Sequence, residues 1–322
     1  MEMSAFAPFA SPVILFFLLG LLASALRSDL AIPEAIAKGM SLYLMAAIGL
    51  KGGVAVAKSG VNAEVAAALL AGLTLSFLIP VLAYAALRAF AKLDQVNAGA
   101  VAAHYGSVSV VTFVTANELL GASGLVVAGF MVAVLAVMET PAILSGLMLA
   151  RRGQADDGQS RGELLREVFL NASVVLLLGS FAIGLIAGPK GYSEVQPLFE
   201  SGFKGVLCLF LLDMGLIAAR RLIDARALNL RLAILAIAFP LFNGTLGVLV
   251  GNLIGLDTAT AAALGVLCAS ASYIAVPAAM RLALPQADPG IYLTMSLSIT
   301  FPFNILIGVS LFGELSVWLS AN

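Results

Sequence analysis

Apolar stretches of some 20 residues recur from end to end of this 322-residue chain. A helix of that length crosses the hydrocarbon core of a bilayer. Lipid offers the backbone no hydrogen-bond partners, so such a chain folds as a bundle of spanning helices. Composition agrees: 61% of the residues are apolar and 11% charged, where a soluble domain carries about 25% charged residues. Cys208 and Cys268 lie inside apolar stretches and read as small hydrophobes, not as a disulfide framework. The single histidine, His104, leaves no zinc site and no Ser-His pair to build, and no Gly-rich phosphate loop follows a strand. Enzyme, transition-metal, organic-cofactor and nucleic-acid readings are therefore set aside, and any pumping must draw on an ion gradient.

Ten spans are expected. The first half holds 11–26, 32–56, 64–90, 96–119 and 124–150. The second holds 167–187, 195–218, 230–254, 258–284 and 289–319. The polar connection 151–166 divides the chain into repeats 1–150 and 167–322 and reads as a cytoplasmic linker. Glu2 is the only charge before the first span and Arg27 follows it, the reverse of a secretory signal, so this span is expected to be retained. Ten crossings put thirteen Lys and Arg on one side and only Lys51, Lys58, Lys190 and Lys204 on the other. The positive-inside rule makes the first side cytoplasmic, in a plasma (inner) membrane with both termini outside.

Two serine-bearing polar breaks interrupt the fourth span of each half: His104-Tyr-Gly-Ser-Val-Ser109 and Cys268-Ala-Ser-Ala-Ser-Tyr273. Ser107 and Ser270 are 163 residues apart (270 − 107). Pro80 and Pro240 repeat at 160 (240 − 80), Pro141 and Pro302 at 161 (302 − 141), and Gly49 and Gly215 at 166 (215 − 49). Four matches in order at nearly one offset indicate a 5+5 repeat. Five is odd, so the second copy enters the membrane in the opposite sense, with the fourth helix of each half broken at mid-membrane.

Broken backbone inside a bilayer is tolerated where it lines a cavity. A helix restarting there offers free N–H groups to a small oxyanion. Carbonyls freed at the preceding end, with hydroxyls, suit a hard cation such as Na⁺. Gly106 permits close backbone approach, and Ser107, Ser109, Thr112, Ser270 and Ser272 supply hydroxyls. The structural alternative is that these hydroxyls bond back to the preceding turn or join neighbouring helices.

The segments Gly106-Ser-Val-Ser109 and Ser270-Ala-Ser-Tyr-Ile-Ala-Val-Pro-Ala-Ala-Met-Arg281 resemble those of the sodium-dependent bicarbonate transporter family. So do Ile48-Gly-Leu-Lys-Gly-Gly53, Ile32-Pro-Glu-Ala-Ile36 and Asp288-Pro289, and the resemblance covers essentially the whole chain. It implies a 5+5 inverted repeat, sodium-coupled bicarbonate uptake and a homotrimer in membrane lipid. Substrate contacts are expected from Gly106, Ser107, Val108, Ser109, Ala271, Ser272 and Tyr273, and sodium contacts from Thr112, Ser270, Ser272 and Glu139. Glu139 falls where cyanobacterial members carry an aspartate before Ile-Pro. The chain departs from them at Tyr273, where they have an aspartate, and at Val111, where they have a serine. Its linker is shorter than theirs, so their PII-like regulatory partner is not carried over.

Other ionisable residues within spans are candidates by default. Glu139 suits a cation or a proton, and Asp213 either pairs with Lys204 or Lys51 or binds the coupling ion. Lys51 either snorkels outward or attracts an anion, and His104 is a packing histidine or a pH gate. Two other classes stay open: a carrier of a larger organic anion resembling the bile-acid/sodium symporters, and a non-transporting membrane scaffold or sensor.

Overall fold

The computed structural model describes residues 11–60, 62–152, 172–223 and 228–321. Most of the linker 151–166, and position 167 where the second half was expected to start, lie outside them. The described residues are helical, with no strand among them. We label the helices α1 (Pro12–Ala25), α2 (Glu34–Ser59), α3 (Ala63–Ala86), α4 (Gln95–Gly106), α5 (Val110–Ala122) and α6 (Met131–Ala150). There follow α7 (Ala172–Gln196), α8 (Phe203–Ile223), α9 (Leu230–Leu253), α10 (Thr258–Ala269), α11 (Ala275–Ala283) and α12 (Pro289–Ala321).

Among the described residues, six helical stretches are long and apolar enough to cross a membrane: α2, α3, α4 with α5, α6, α9 and α12. Helices α1 and α10 are apolar but shorter. The stretch expected to begin at 124 starts only at Met131, because Gly124 (φ +82°) ends α5 in a Schellman turn closed by Leu125 N–H to Leu120 O. The boundary expected at 195 moves as well. Helix α7 continues to Gln196 across a kink at Gly188 (φ +59°) and Pro189, and α8 begins at Phe203.

Matched side chains start matched helices. Asn62 Oδ1 accepts from Val65 N–H at α3, and Asn229 Oδ1 from Leu232 N–H at α9, both at 3.0 Å. Asp94 Oδ1 accepts from Asn97 N–H at α4, and Asp257 Oδ1 from Ala259 N–H at α10, both at 2.9 Å. Each is an N-cap satisfying an orphan donor of the first turn.

Packing sorts the helices into two groups. In one, α1 crosses α8 and α2 crosses α7. Glycines make both crossings close: a Cβ on Gly20 would strike Leu212 O, and one on Gly53 would strike Phe181 O. In the other group α3, α4 and α6 pack together, as do α9, α10 and α12. The second pieces of the broken spans cross over: α5 packs on α10 and α12, and α11 on α4 and α6. The breaks are thereby carried into the interior, where residues 98–116 and 259–273 are buried without interruption.

Candidate functional site

The two breaks have one backbone form and are stitched to each other. Helix α4 ends at Ser107 (φ −84°, ψ 161°) and α10 at Ser270 (φ −75°, ψ 161°), both extended. Leaving the helix there frees N–H groups that must find partners elsewhere. Ser109 N–H donates to Ser270 Oγ at 2.9 Å, and Ser272 N–H donates to His104 O at 2.9 Å. Each break therefore completes the other.

The hydroxyls divide by what they do. Ser270 Oγ accepts from Ser109 and donates to Leu267 O at 2.7 Å, so it is fully engaged in holding the crossing. Ser109 Oγ accepts Thr112 N–H at 3.2 Å as the N-cap of α5, which leaves its own proton to donate, with the Tyr273 hydroxyl beside it. Ser272 Oγ reaches Val276 N–H only at 3.5 Å. Ser107 Oγ is buried with no hydrogen-bond partner.

A small cleft opens where the breaks meet. It holds about 250 Å³ of non-atom space counted out to its mouth, and is lined by Met45, Val108, Ser109, Val110, Glu139, Ser272, Tyr273, Ile274 and Ala275. Of the expected site residues, Val108, Ser109, Ser272, Tyr273 and Glu139 line it. Gly106, Ser107, Ala271, Thr112 and Ser270 are buried behind that lining. A Cβ on Gly106 would strike Pro80 Cγ, so this glycine lets α4 close on α3. Thr112 reaches the break through its backbone N–H.

Glu139 reaches the cleft from α6. The residue is 2% exposed, and Oε2 has no hydrogen-bond partner. Pro141 brings no N–H to the ladder, and nearby Ser76 Oγ donates to Met138 O at 2.5 Å, tying α3 to α6 beside it. Tyr273, 8% exposed, faces Ser109, yet its hydroxyl makes no hydrogen bond of ordinary geometry. Its ring meets Phe301 edge-on at 5.2 Å, and Phe301 meets Phe17 of α1 at 5.5 Å. Among the described residues lining the cleft there is no lysine, arginine or histidine.

Several expected partners are elsewhere. Lys204 pairs with Glu118 at 3.3 Å, and Lys51 lies over the Phe203 ring at 4.8 Å, so neither neutralises Asp213. Asp213 is buried, and its Oδ2 is without a hydrogen bond. His104 is fully buried, with Nδ1 at 2.7 Å from Ala100 O and its ring stacked on Tyr292 at 4.5 Å. It braces the break and does not line the cleft. Sequence reasoning missed Met45, which α2 brings to the cleft from the other helix group, and no local signal marks it. It also missed two braces: Asn304 Nδ2 donates to Ala269 O at 2.8 Å, and Tyr105 OH lies 2.6 Å from Thr300 Oγ1. Asn304 was findable, as a polar residue beside Pro302 in an apolar span.

Compared with known proteins, residues 12–316 match a family model described as the Na⁺-dependent bicarbonate transporter superfamily. Among curated proteins, none matches the chain.

Proposed function

Starting from the fact that the chain belongs to the Na⁺-dependent bicarbonate transporter superfamily, we propose that it imports bicarbonate, or a similarly small monoanion, coupled to Na⁺. The observation that carries this reading is the cleft itself: two interlocked helix breaks present hydroxyls beside a buried carboxylate, with no basic side chain among the described lining residues. An anion placed about 4 Å from a carboxylate is repelled by roughly 4 kcal/mol at an effective dielectric of 20. Lacking a fixed cation, such a site takes its compensating charge with the substrate, and that is coupling. Glu139, Ser272 and the carbonyls of the breaks form the oxygen-rich surroundings that Na⁺ favours. The cleft suits a compact ion and is cramped for an organic anion of bile-acid size.

In this reading the chain has ten spans in a 5+5 inverted repeat, with α4–α5 and α10–α11 as the broken fourth spans. Support comes from the paired caps, the paired Ser107 and Ser270 backbone angles and the reciprocal crossover of α5 and α11. The group α1, α2, α7 and α8 forms a frame against which the other helices move, exposing the cleft to each side in turn. The loop-charge bias supports a topology with both termini outside.

Labelled bicarbonate uptake into proteoliposomes, with and without an inward Na⁺ gradient, tests it. Accumulation that requires the gradient is expected. Folded protein that moves no bicarbonate under either condition overturns the transport assignment.

A further inference from the structure

Two buried polar groups in the cleft are left without hydrogen-bond partners, and only one of them carries a proton to donate. Glu139 Oε2, from α6, can only accept, and the Tyr273 hydroxyl, from the second break and facing Ser109, brings a proton to donate as well as lone pairs. Ser109 and Ser272 add two further hydroxyls on the same wall. A buried polar atom with no partner is costly, by roughly 1–3 kcal/mol, so the cleft is complementary to a guest that both gives and accepts hydrogen bonds. A planar oxyanion with no hydrogen can only accept. It would satisfy Tyr273 and the serines while turning a lone pair toward the Glu139 carboxylate.

Resting on the bicarbonate reading above, we propose that Glu139 accepts the substrate's own O–H, so that the site selects a hydrogen-bearing oxyanion. Hydrogencarbonate offers one O–H to Glu139 and two charged oxygens to Tyr273, Ser109 and Ser272. Nitrate has the same trigonal shape and the same charge but no hydrogen. It meets the carboxylate with repulsion at the point where hydrogencarbonate makes a charge-assisted bond. Sites built to bond a substrate hydroxyl reject the analogue lacking it far more strongly than size alone allows. The remaining carboxylate oxygen is free to meet the coupling cation, so selection and coupling share one side chain. Tyr273 has its place in the same scheme: a tyrosine hydroxyl donates to an oxyanion, which an aspartate carboxylate cannot do.

The test is competition by nitrate, and separately by formate, against labelled bicarbonate uptake in proteoliposomes of the full chain under a Na⁺ gradient. In the wild type, nitrate is expected to inhibit at least ~100-fold more weakly than unlabelled bicarbonate. In Glu139→Gln, which keeps the shape and adds an amide donor, the gap is expected to close to within ~10-fold. If Glu139→Gln takes nothing up, a nitrate-dependent rise in melting temperature of the purified variant, absent from the wild type, is the equivalent expected result. Equal inhibition by nitrate and bicarbonate in the wild type overturns the proposal while leaving the transport reading intact. So does unchanged discrimination in Glu139→Gln with only its Na⁺ requirement altered, since that makes Glu139 a cation ligand alone. Absence of bicarbonate uptake in the folded wild type removes the transport reading, and this proposal with it.

Discussion

Serines two residues apart in one break hold different jobs, and substitution should separate them. Ser270 satisfies the buried Ser109 N–H and is itself satisfied by Leu267 O. Removing its hydroxyl orphans that N–H, a loss of roughly 1–3 kcal/mol. The Ser272 hydroxyl meets only Val276 N–H, at 3.5 Å, and the residue lines the cleft. Ser270→Ala is therefore expected to lower the melting temperature, and Ser272→Ala to abolish bicarbonate uptake with little change in melting. Ser109→Ala should do both, because Ser109 caps α5 at a cost of about 1 kcal/mol and also lines the cleft. Cys208→Ala, on α8 and absent from the cleft lining, is the control with uptake retained. Parallel melting and uptake curves across the three serine variants would contradict this division. The Ser-x-Ser spacing alone could not make it: at Ser270 the bond back to the preceding turn and the bond to the other break are one hydroxyl, and only the crossing of two distant segments shows both.

At the scale of elements, the broken helices owe their starts to aspartates at corresponding positions. Asp94 opens α4 and Asp257 opens α10, 163 residues apart (257 − 94), the same offset as Ser107 and Ser270. Replacing either by Ala is expected to cost about 1 kcal/mol of stability, read as a lower melting temperature of the purified protein. Burial raises the Asp94 pKa, but hydrogen bonds from Asn97 N–H, the Asn97 side-chain amide and Val96 N–H outweigh it and leave it below the ordinary value. A carboxylate with a lowered folded pKa stabilises fully above its unfolded value, near 3.9, and loses that effect as pH falls through the folded value. The deficit of Asp94→Ala should thus be complete at pH 7 and shrink below about pH 4; equal melting of wild type and variant at pH 7 would show the cap idle. These caps leave a sequence signal, an Asp or Asn before an apolar run, that the span boundaries above did not draw on. The start of α6 leaves none. Residues 124–130 are as apolar as a helix, and only the left-handed Gly124 turns them into a connection.

For the whole molecule, the question is whether the two helix groups move against each other. Their contact is aromatic where it approaches the site: Phe17 of α1 meets Phe301 of α12, which meets Tyr273 at the second break. Close packing of this kind is bistable more than it is compliant, so a displacement of one group breaks the Phe17–Phe301 contact outright. The crossings within the frame, by contrast, are held by glycines whose replacement would drive a side chain into backbone, as at Gly20 and Gly53, and they should travel as one body. Cysteines at Phe17 and Phe301, in a chain with Cys208 and Cys268 replaced, can be joined by a short bis-methanethiosulfonate, which releases sulfinate as it forms a reducible disulfide with each thiol. Joining them is expected to stop bicarbonate uptake, and reduction to restore it, while equilibrium bicarbonate binding from one side survives. A cysteine pair placed at Tyr43 of α2 and Phe199 just before α8, whose rings stack at 5.7 Å within the frame, should link without effect on uptake. Full linkage of Phe17→Cys to Phe301→Cys with uptake unchanged would place the moving boundary elsewhere, and the cleft would then have to open by rearrangement inside the α3–α6 and α9–α12 group.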